Sequence, residues 1–393
     1  MKKHSDFEKI GLRLNPFGVK PEMGSENLTW AGLKKVKGNF DSLIGNCLKA
    51  METKVVLHMS RWGGGKTHTS FYYSNPKNLP SIGIDYPTPL NLFVVTPQEG
   101  EKASDEFYKK IIEGIRITYI SESINTMRSN SENDRSSLGE IQNYCKSEDI
   151  GRILWLLGDP NPEIAYDASE LIFLPKPTAS LKKALKVRRG IESTSDKFVV
   201  ISTLFKILSI YDGEKKLDTQ RRIFLWLDEI ESLIYYSTRY YKPFTQALRE
   251  LIDMTPNQLT FFLNFSFAER DTISTLEFII GKALSDRINE KIISEELDIS
   301  GAIEYVGDLL KFFRASDFKE TNEFYPFNKE ALKIMFDNLE NKLKEPLMPR
   351  IINKWCEKII TRAFEKSYFS LGKEIDENFM NQVSFRDEAM EDI

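Results

Sequence analysis

From Thr53 to Ser70 the chain reads T-K-V-V-L-H-M-S-R-W-G-G-G-K-T-H-T-S. The apolar, β-branched run Thr53 to Met59 predicts a buried parallel strand, and the residues after the glycines predict a helix through Tyr73. Glycines let consecutive backbone N–H groups converge on an anion that a Cβ would obstruct, and a helix N-terminus adds a favourable dipole. Strand, glycine loop and helix in that order are the context a phosphate cradle requires. The candidate loop residues are Ser60, Arg61, Trp62, Gly63, Gly64, Gly65, Lys66, Thr67 and His68. Lys66 would reach the β- and γ-phosphates and the Thr67 hydroxyl would ligate Mg²⁺. Ser60 stands where the pattern expects a first glycine, and Gly63 and Gly64 are expected to supply the missing flexibility.

A second element supplies the complementary chemistry. Ile223 to Glu229 reads I-F-L-W-L-D-E, five apolar residues ending in two adjacent carboxylates. A buried strand that delivers an acid pair at its C-terminal end suits hydrolysis of a Mg²⁺-nucleotide. Asp228 would hold the metal through a water, and Glu229 would polarise the attacking water as general base. The run Leu259 to Phe267 carries Asn264 and Ser266 among apolar residues, and a polar side chain there is placed to contact water or a γ-phosphate. Together these elements predict a P-loop nucleoside triphosphatase with ATP and Mg²⁺ as cofactors. No N-K-x-D motif argues for a guanine nucleotide, and no L-S-G-G-Q-like signature follows the loop.

These residues sit in a chain of 393, with 54 Lys+Arg against 58 Asp+Glu and a net charge of −4. With 41% apolar and 28% charged residues it has the balance of a folded, soluble protein, and its acidity excludes a globally basic nucleic-acid binder. Cys47, Cys145 and Cys356 lack metal or disulfide spacing, which fits a reducing cytoplasm. Three histidines are too few for a His-based metal centre. No apolar leader follows Met1, and no run approaches the ~20 apolar residues of a membrane span, so a cytoplasmic protein with no membrane association is expected.

With its motifs in this order the chain resembles the AAA+ ATPases, and within them the branch of origin-recognition initiators and transposon or phage DNA-loading ATPases. Four features carry the resemblance: N-P-F at Asn15–Phe17 before the first strand, the phosphate loop, the D-E strand, and L-M-P-R opening a helix at Pro349-Arg350. The resemblance implies that Asn264 is the sensor on the strand after the acid pair, with Ser266 the second candidate. It implies that Arg350 reaches the γ-phosphate from a helical lid, and that Arg287 is an arginine finger completing a neighbouring subunit's site. The expected fold is α/β, a three-layer P-loop sheet of AAA+ type with a large insertion and a C-terminal α-helical lid. The expected domains are an N-terminal segment 1–52, a nucleotide-binding core 53–298 and a lid 299–393. After residue 366 too little chain remains for the winged-helix domain that origin initiators usually carry.

One strand (Asn91–Thr96) and one helix (about Ser104–Ile115) fit between the phosphate loop and the acid pair, and the rest, about 118–197, must be an insertion. It opens with the polar tract Ser121–Ser137, expected to be a mobile loop. Helices are expected around Ile150–Leu157 and Ala165–Leu174, then a turn at Pro175–Pro177. Lys182, Lys183, Lys186, Arg188 and Arg189 follow, bunched closely enough to contact nucleic-acid phosphates or to form a solvated helix face. Tyr235 to Tyr241 would stack bases, line an oligomer contact or pack in the core. The functional expectation is an ATP-driven switch that assembles as a homo- or hetero-oligomer in a DNA transaction, such as a mobile element, DNA modification or antiphage defence, with a dedicated partner protein. The alternative is an ATP-dependent scaffold that recruits proteins through the insertion and touches no nucleic acid.

Overall fold

The computed structural model describes residues 4–50, 52–83, 85–97, 103–174, 177–235, 238–267, 273–319, 322–369 and 373–385. Seven strands occur among them: β1 (Lys54–Ser60), β2 (Leu90–Val95), β3 (Tyr211–Asp212), β4 (Lys215–Lys216), β5 (Ile223–Asp228), β6 (Leu259–Ser266) and β7 (Glu290–Ser294). Five form one sheet in the order β2-β5-β6-β1-β7, and β3 and β4 pair separately as an antiparallel hairpin. The fold class is α/β, as expected, with β2, β5 and β6 paired in parallel. One strand, β6, lies between the acid-bearing β5 and the loop-bearing β1, which gives Asn264 its place in the sheet.

The described residues fall into two compact units, and the boundary between them passes through β1 after His58. One unit combines Ser42–His58 with Leu79–Ile292 and holds the sheet. β2 pairs with β5 in parallel from Leu90↔Ile223 to Val95↔Asp228, and β5 pairs with β6 in parallel from Ile223↔Leu259 to Leu227↔Leu263. Every residue of β5 is buried, as a parallel strand covered on both faces requires. Trp226 and Phe262, paired across the two strands, stack with ring centroids 3.7 Å apart. Phe107 packs on Phe198 and Phe244, joining the helices Ala103–Ile115, Thr194–Ile210 and Thr238–Met254.

Arg222 anchors the opposite, N-terminal end of β5. Only 2% exposed, it donates to the carbonyls of Asn257 (2.5 Å), Glu52 (2.7 Å) and Leu259 (3.1 Å) and to the Thr260 hydroxyl (2.8 Å). It thereby satisfies backbone acceptors near the starts of β1 and β6 with one planar group.

Within the same unit most of the described part of 118–197 is helical, which corrects the expected mobile loop at Ser121–Ser137. Helices Ile117–Ser129 and Asp134–Cys145 occupy that tract. The reason lies in spacing: Ile120, Ile124 and Met127 form a buried stripe under a polar face, and Asn133 caps the second helix by accepting from the Ser136 amide. Polarity of composition masked that stripe. Helices Glu148–Leu157 and Pro162–Phe173 appear where expected, followed by the short helix Ala179–Ala184. Pro175 and Lys176 of the expected turn lie outside the described residues. Arg128 staples the insertion to itself, 3.7 Å over the Trp155 ring and ion-paired with Asp159 at 3.3 Å.

The other unit is assembled from three chain segments, Met1–Asp41, Met59–Asn78 and Ile293–Ile393. Its core gathers Phe7, Ile10, Leu12 and Phe17 from the N-terminus with Val306, Leu310, Phe313, Trp355, Ile359 and Ile360 from the C-terminal helices. Those helices are Ile299–Phe313, Lys329–Asp337 continuing as a π-helical turn Asn338–Leu343, Pro349–Glu365 and Glu377–Asn381. The N-P-F motif is a tether here: the Asn15 side chain accepts from the Phe17 amide (3.0 Å) and donates to Glu357 (2.8 Å) on the helix that carries Arg350. Cys47, Cys145 and Cys356 are all buried free thiols. Among the described residues no helix is long and apolar enough to cross a membrane.

Replacing Arg222 with Leu is expected to lower stability by about 3–5 kcal/mol, because several buried acceptors lose a charged donor together. Urea unfolding followed by tryptophan fluorescence would show it as a marked fall in midpoint. A midpoint within experimental error of wild type would contradict the anchoring role.

Candidate functional site

The candidate phosphate loop emerges from β1 and ends in the helix Lys66–Ser74. Gly63 and Gly65 hold φ of 81° and 87°, a left-handed backbone that L side chains rarely adopt. Gly65 is the helix N-cap, and no capping side chain covers this helix start, the kind of terminus that suits an oxyanion. Lys66 is buried and its Nζ donates to the Ser60 hydroxyl at 2.9 Å, while that hydroxyl donates to the Arg61 carbonyl at 2.9 Å. The departure at Ser60 therefore has a structural use: a fully buried hydroxyl that holds the loop lysine. A Cβ at Gly64 would stand 2.6 Å from that same oxygen.

Arg350 joins the loop within the same unit. Pro349 occupies the first turn of its helix, as the P-R spacing predicts. The Arg350 amide donates to the Gly63 carbonyl at 3.3 Å, and a Cβ at Gly63 would meet the Arg350 Cβ at 2.6 Å. The missing Cβ at Gly63 thus admits the start of the helix. The Arg350 guanidinium lies 4.4 Å from the Trp62 ring centroid. Arg61, the neighbouring loop cation, is instead ion-paired with Glu296 at 2.6 Å. His68 is half-buried against Trp30, 6.1 Å between ring centroids. Desolvation pulls its pKa from 6.5 down to about 4, only partly opposed by a hydrogen bond to the Thr29 backbone.

The acid pair lies in the unit that holds the sheet. Asp228 ends β5 and is buried, and Thr96 at the end of β2 fixes its carbonyl with both the amide (2.8 Å) and the hydroxyl (2.7 Å). One step beyond the Leu227↔Leu263 pair, the next positions on β5 and β6 are Asp228 and Asn264, so the two share a face of the sheet. Asn264 is fully buried. Glu229 is exposed and holds φ of 57°, an uncommon conformation for a non-glycine residue that turns the chain sharply after the strand. Glu231 is engaged differently: its carboxylate accepts from the Ser266 amide at 3.0 Å and fixes the end of β6.

Arg287 stands apart from these groups. Its guanidinium makes a bidentate pair with Asp253, both contacts at 2.9 Å, and holds that carboxyl below the ordinary carboxylate range. Of the tyrosine tract, Tyr241 is buried and Tyr235 is 85% exposed, while Tyr236 lies outside the described residues. In the basic run, Arg188 pairs with Glu148 (2.9 Å) and Arg189 with Asp196 (3.3 Å). Sequence alone assigns no role to Thr96 or to the Trp62–Arg350 contact. A hydroxyl closing the apolar run Asn91–Thr96 is the available signal for the first, and none exists for the second.

His68 has a pH signature. Its folded pKa of about 4 lies below the ordinary 6.5, so the unfolded chain binds the extra proton between those values. The stability that a neutral His68 contributes is complete above pH ~6.5 and is lost as pH falls toward ~4. Replacing His68 with Gln should flatten the acid limb of the urea-midpoint profile in that window, and a limb unchanged from wild type would contradict it.

No family model matches the sequence, and no curated protein matches it. Solved structures do. Cdc6p from Pyrobaculum aerophilum is similar at 12% identity with a TM-score of 0.44, over 90% of this chain and 66% of that one. The Orc1 protein of Aeropyrum pernix, in complex with DNA, is similar at 11% identity and 0.41, over 86% and 62%. The Walker-type ATPase PABY2304 of Pyrococcus abyssi is similar at 12% identity and 0.39, over 91% and 79%. The chain thus spans less than two thirds of the length of the Cdc6p and Orc1 chains.

Proposed function

We propose that the chain is a Mg²⁺-dependent ATPase, an AAA+-type molecular switch that acts in a DNA transaction such as that of a mobile element, a DNA-modification system or an antiphage module. The observation that carries the nucleotide part is the phosphate loop: a buried Lys66 at the start of a helix capped by a left-handed glycine, met by Arg350 from a second helix. Loop amides, Lys66 and Arg350 would bind the triphosphate, the two cations acting on the β- and γ-phosphates. Mg²⁺ takes oxygen ligands and is commonly held by one or two carboxylates together with substrate phosphates and waters. By their chemistry the Thr67 hydroxyl and the Asp228 carboxylate fit that donor set. When bound, the ion would neutralise charge on the phosphoryl oxygens.

Glu229 would take the proton of the attacking water, and the amide of Asn264 would orient that water. Arg287 would complete the site of a neighbouring subunit, for which it must first leave Asp253. Binding of ATP would draw subunits together and hydrolysis would relax the assembly.

Replacing Lys66 with Ala should abolish ATP binding. Replacing Glu229 with Gln should preserve binding and reduce turnover by about 10²–10⁴-fold, the range typical of a lost general base. Equilibrium dialysis and phosphate release would report the two effects separately. A Glu229→Gln protein that turns over like wild type would remove Glu229 from the role of base.

The pairing of Arg188 and Arg189 with carboxylates favours a second reading, a protein scaffold without nucleic-acid contact. Lys182, Lys183 and Lys186 make no ion pair among the described residues. On the DNA reading, neutralising all five cations should flatten the dependence of log affinity on log salt by about 2–3 units, close to 0.9 for each phosphate that is no longer neutralised. Wild-type protein with ATP that shows no DNA affinity at low salt would favour the scaffold.

A further inference from the structure

Trp62 is 73% exposed at the tip of the phosphate loop, an unusual place for a large aromatic ring. Its ring meets one group of opposite character, the Arg350 guanidinium, 4.4 Å from the centroid. The geometry is fixed on both sides. The Arg350 amide is bonded to the Gly63 carbonyl next to Trp62, and Gly63 lacks the Cβ that would push the Arg350 backbone away.

The form of this contact matters for what the guanidinium can do next. Arg61 and Arg287 commit their N–H donors to Glu296 and Asp253. Arg350 has no carboxylate partner among the described residues. Attraction between a cation and the face of a ring uses the charge and consumes no N–H donor. A guanidinium held by a ring therefore keeps its donors for an oxyanion, whereas one held by a carboxylate must first be released.

We propose that Trp62 is a positioning residue for Arg350, holding its guanidinium at the phosphate loop with its donors uncommitted, ready for the terminal phosphate of a nucleoside triphosphate. This rests on the nucleotide reading above and adds to it a determinant of triphosphate over diphosphate preference. The alternative use of an exposed ring at this place, stacking on the base, makes the opposite prediction, because ATP and ADP carry the same base.

The test compares ATP and ADP affinities by equilibrium dialysis for wild type, Trp62→Leu, Trp62→Phe, Arg350→Ala and the Trp62→Leu/Arg350→Ala double variant. Trp62 is exposed, so these changes leave the core intact. Trp62→Leu should weaken ATP by about two- to fivefold, the range of an exposed cation–π contact, and leave ADP unchanged. Trp62→Phe, which keeps a ring face, should recover part of the loss. In the Arg350→Ala background Trp62→Leu should have no further effect. Equal losses for ATP and ADP, or the same loss with and without Arg350, would overturn the proposal while leaving ATP binding in place. Wild-type protein that binds no ATP would instead remove the nucleotide reading, and the role of Trp62 with it.

Discussion

The glycine loop between β1 and the helix Lys66–Ser74 depends on two missing Cβ atoms. At Gly63 and Gly64 any side chain would collide within 3 Å, with Arg350 at the first and with Ser60 and Met348 at the second. The same absence lets backbone amides face an anion. On the proposed reading, one stretch of glycine would serve two approaches at once, a phosphate chain from solvent and the first turn of the helix Pro349–Glu365 from the C-terminal segment. Ser60 completes the arrangement by holding Lys66 through a buried hydroxyl. What looks in the sequence like a defect in the glycine pattern is a ligand for the lysine.

The two halves of the chemistry are positioned by different means. The loop and Arg350 are brought together by a core built from both ends of the chain, into which Asn15 ties the arginine-bearing helix through Glu357. The acid pair is positioned by strand register. Parallel pairing of β2, β5 and β6 aligns Val95 with Asp228 and carries Asn264 alongside, and Thr96 then fixes the strand end with two hydrogen bonds to one carbonyl. At the far end of the same strands Arg222 holds several backbone acceptors. A strand locked at both ends keeps its terminal carboxylate in place, as the proposed hydrolysis would require.

Much of this is legible in the sequence because it rests on local pattern. The apolar runs of β1, β5 and β6, the glycine loop and the P-R helix start each declare themselves within ten residues. Other features are not legible, for identifiable reasons. A unit built from three distant segments cannot be seen by dividing a chain linearly. The tract Ser121–Ser137 reads as loop by composition, yet Ile120, Ile124 and Met127 supply one buried stripe, enough to fold it against the rest of the insertion. The basic run reads as a phosphate-contacting or a solvated face, and its ion pairs are not legible: Glu148 and Asp196, distant or on a following helix, claim two of its five cations. The exposed Trp62 carries no periodicity at all, and its use follows only from what lies over its ring.

The most direct test of the nucleotide site is the stoichiometry and metal dependence of nucleotide binding by the full chain. Equilibrium dialysis with ATP, in the presence of Mg²⁺ and after its removal by chelation, reads both. The expected result is one ATP per chain, bound more weakly when the metal is removed. A chain that retains no ATP at millimolar nucleotide, with or without Mg²⁺, would contradict the assignment of the glycine loop to a triphosphate.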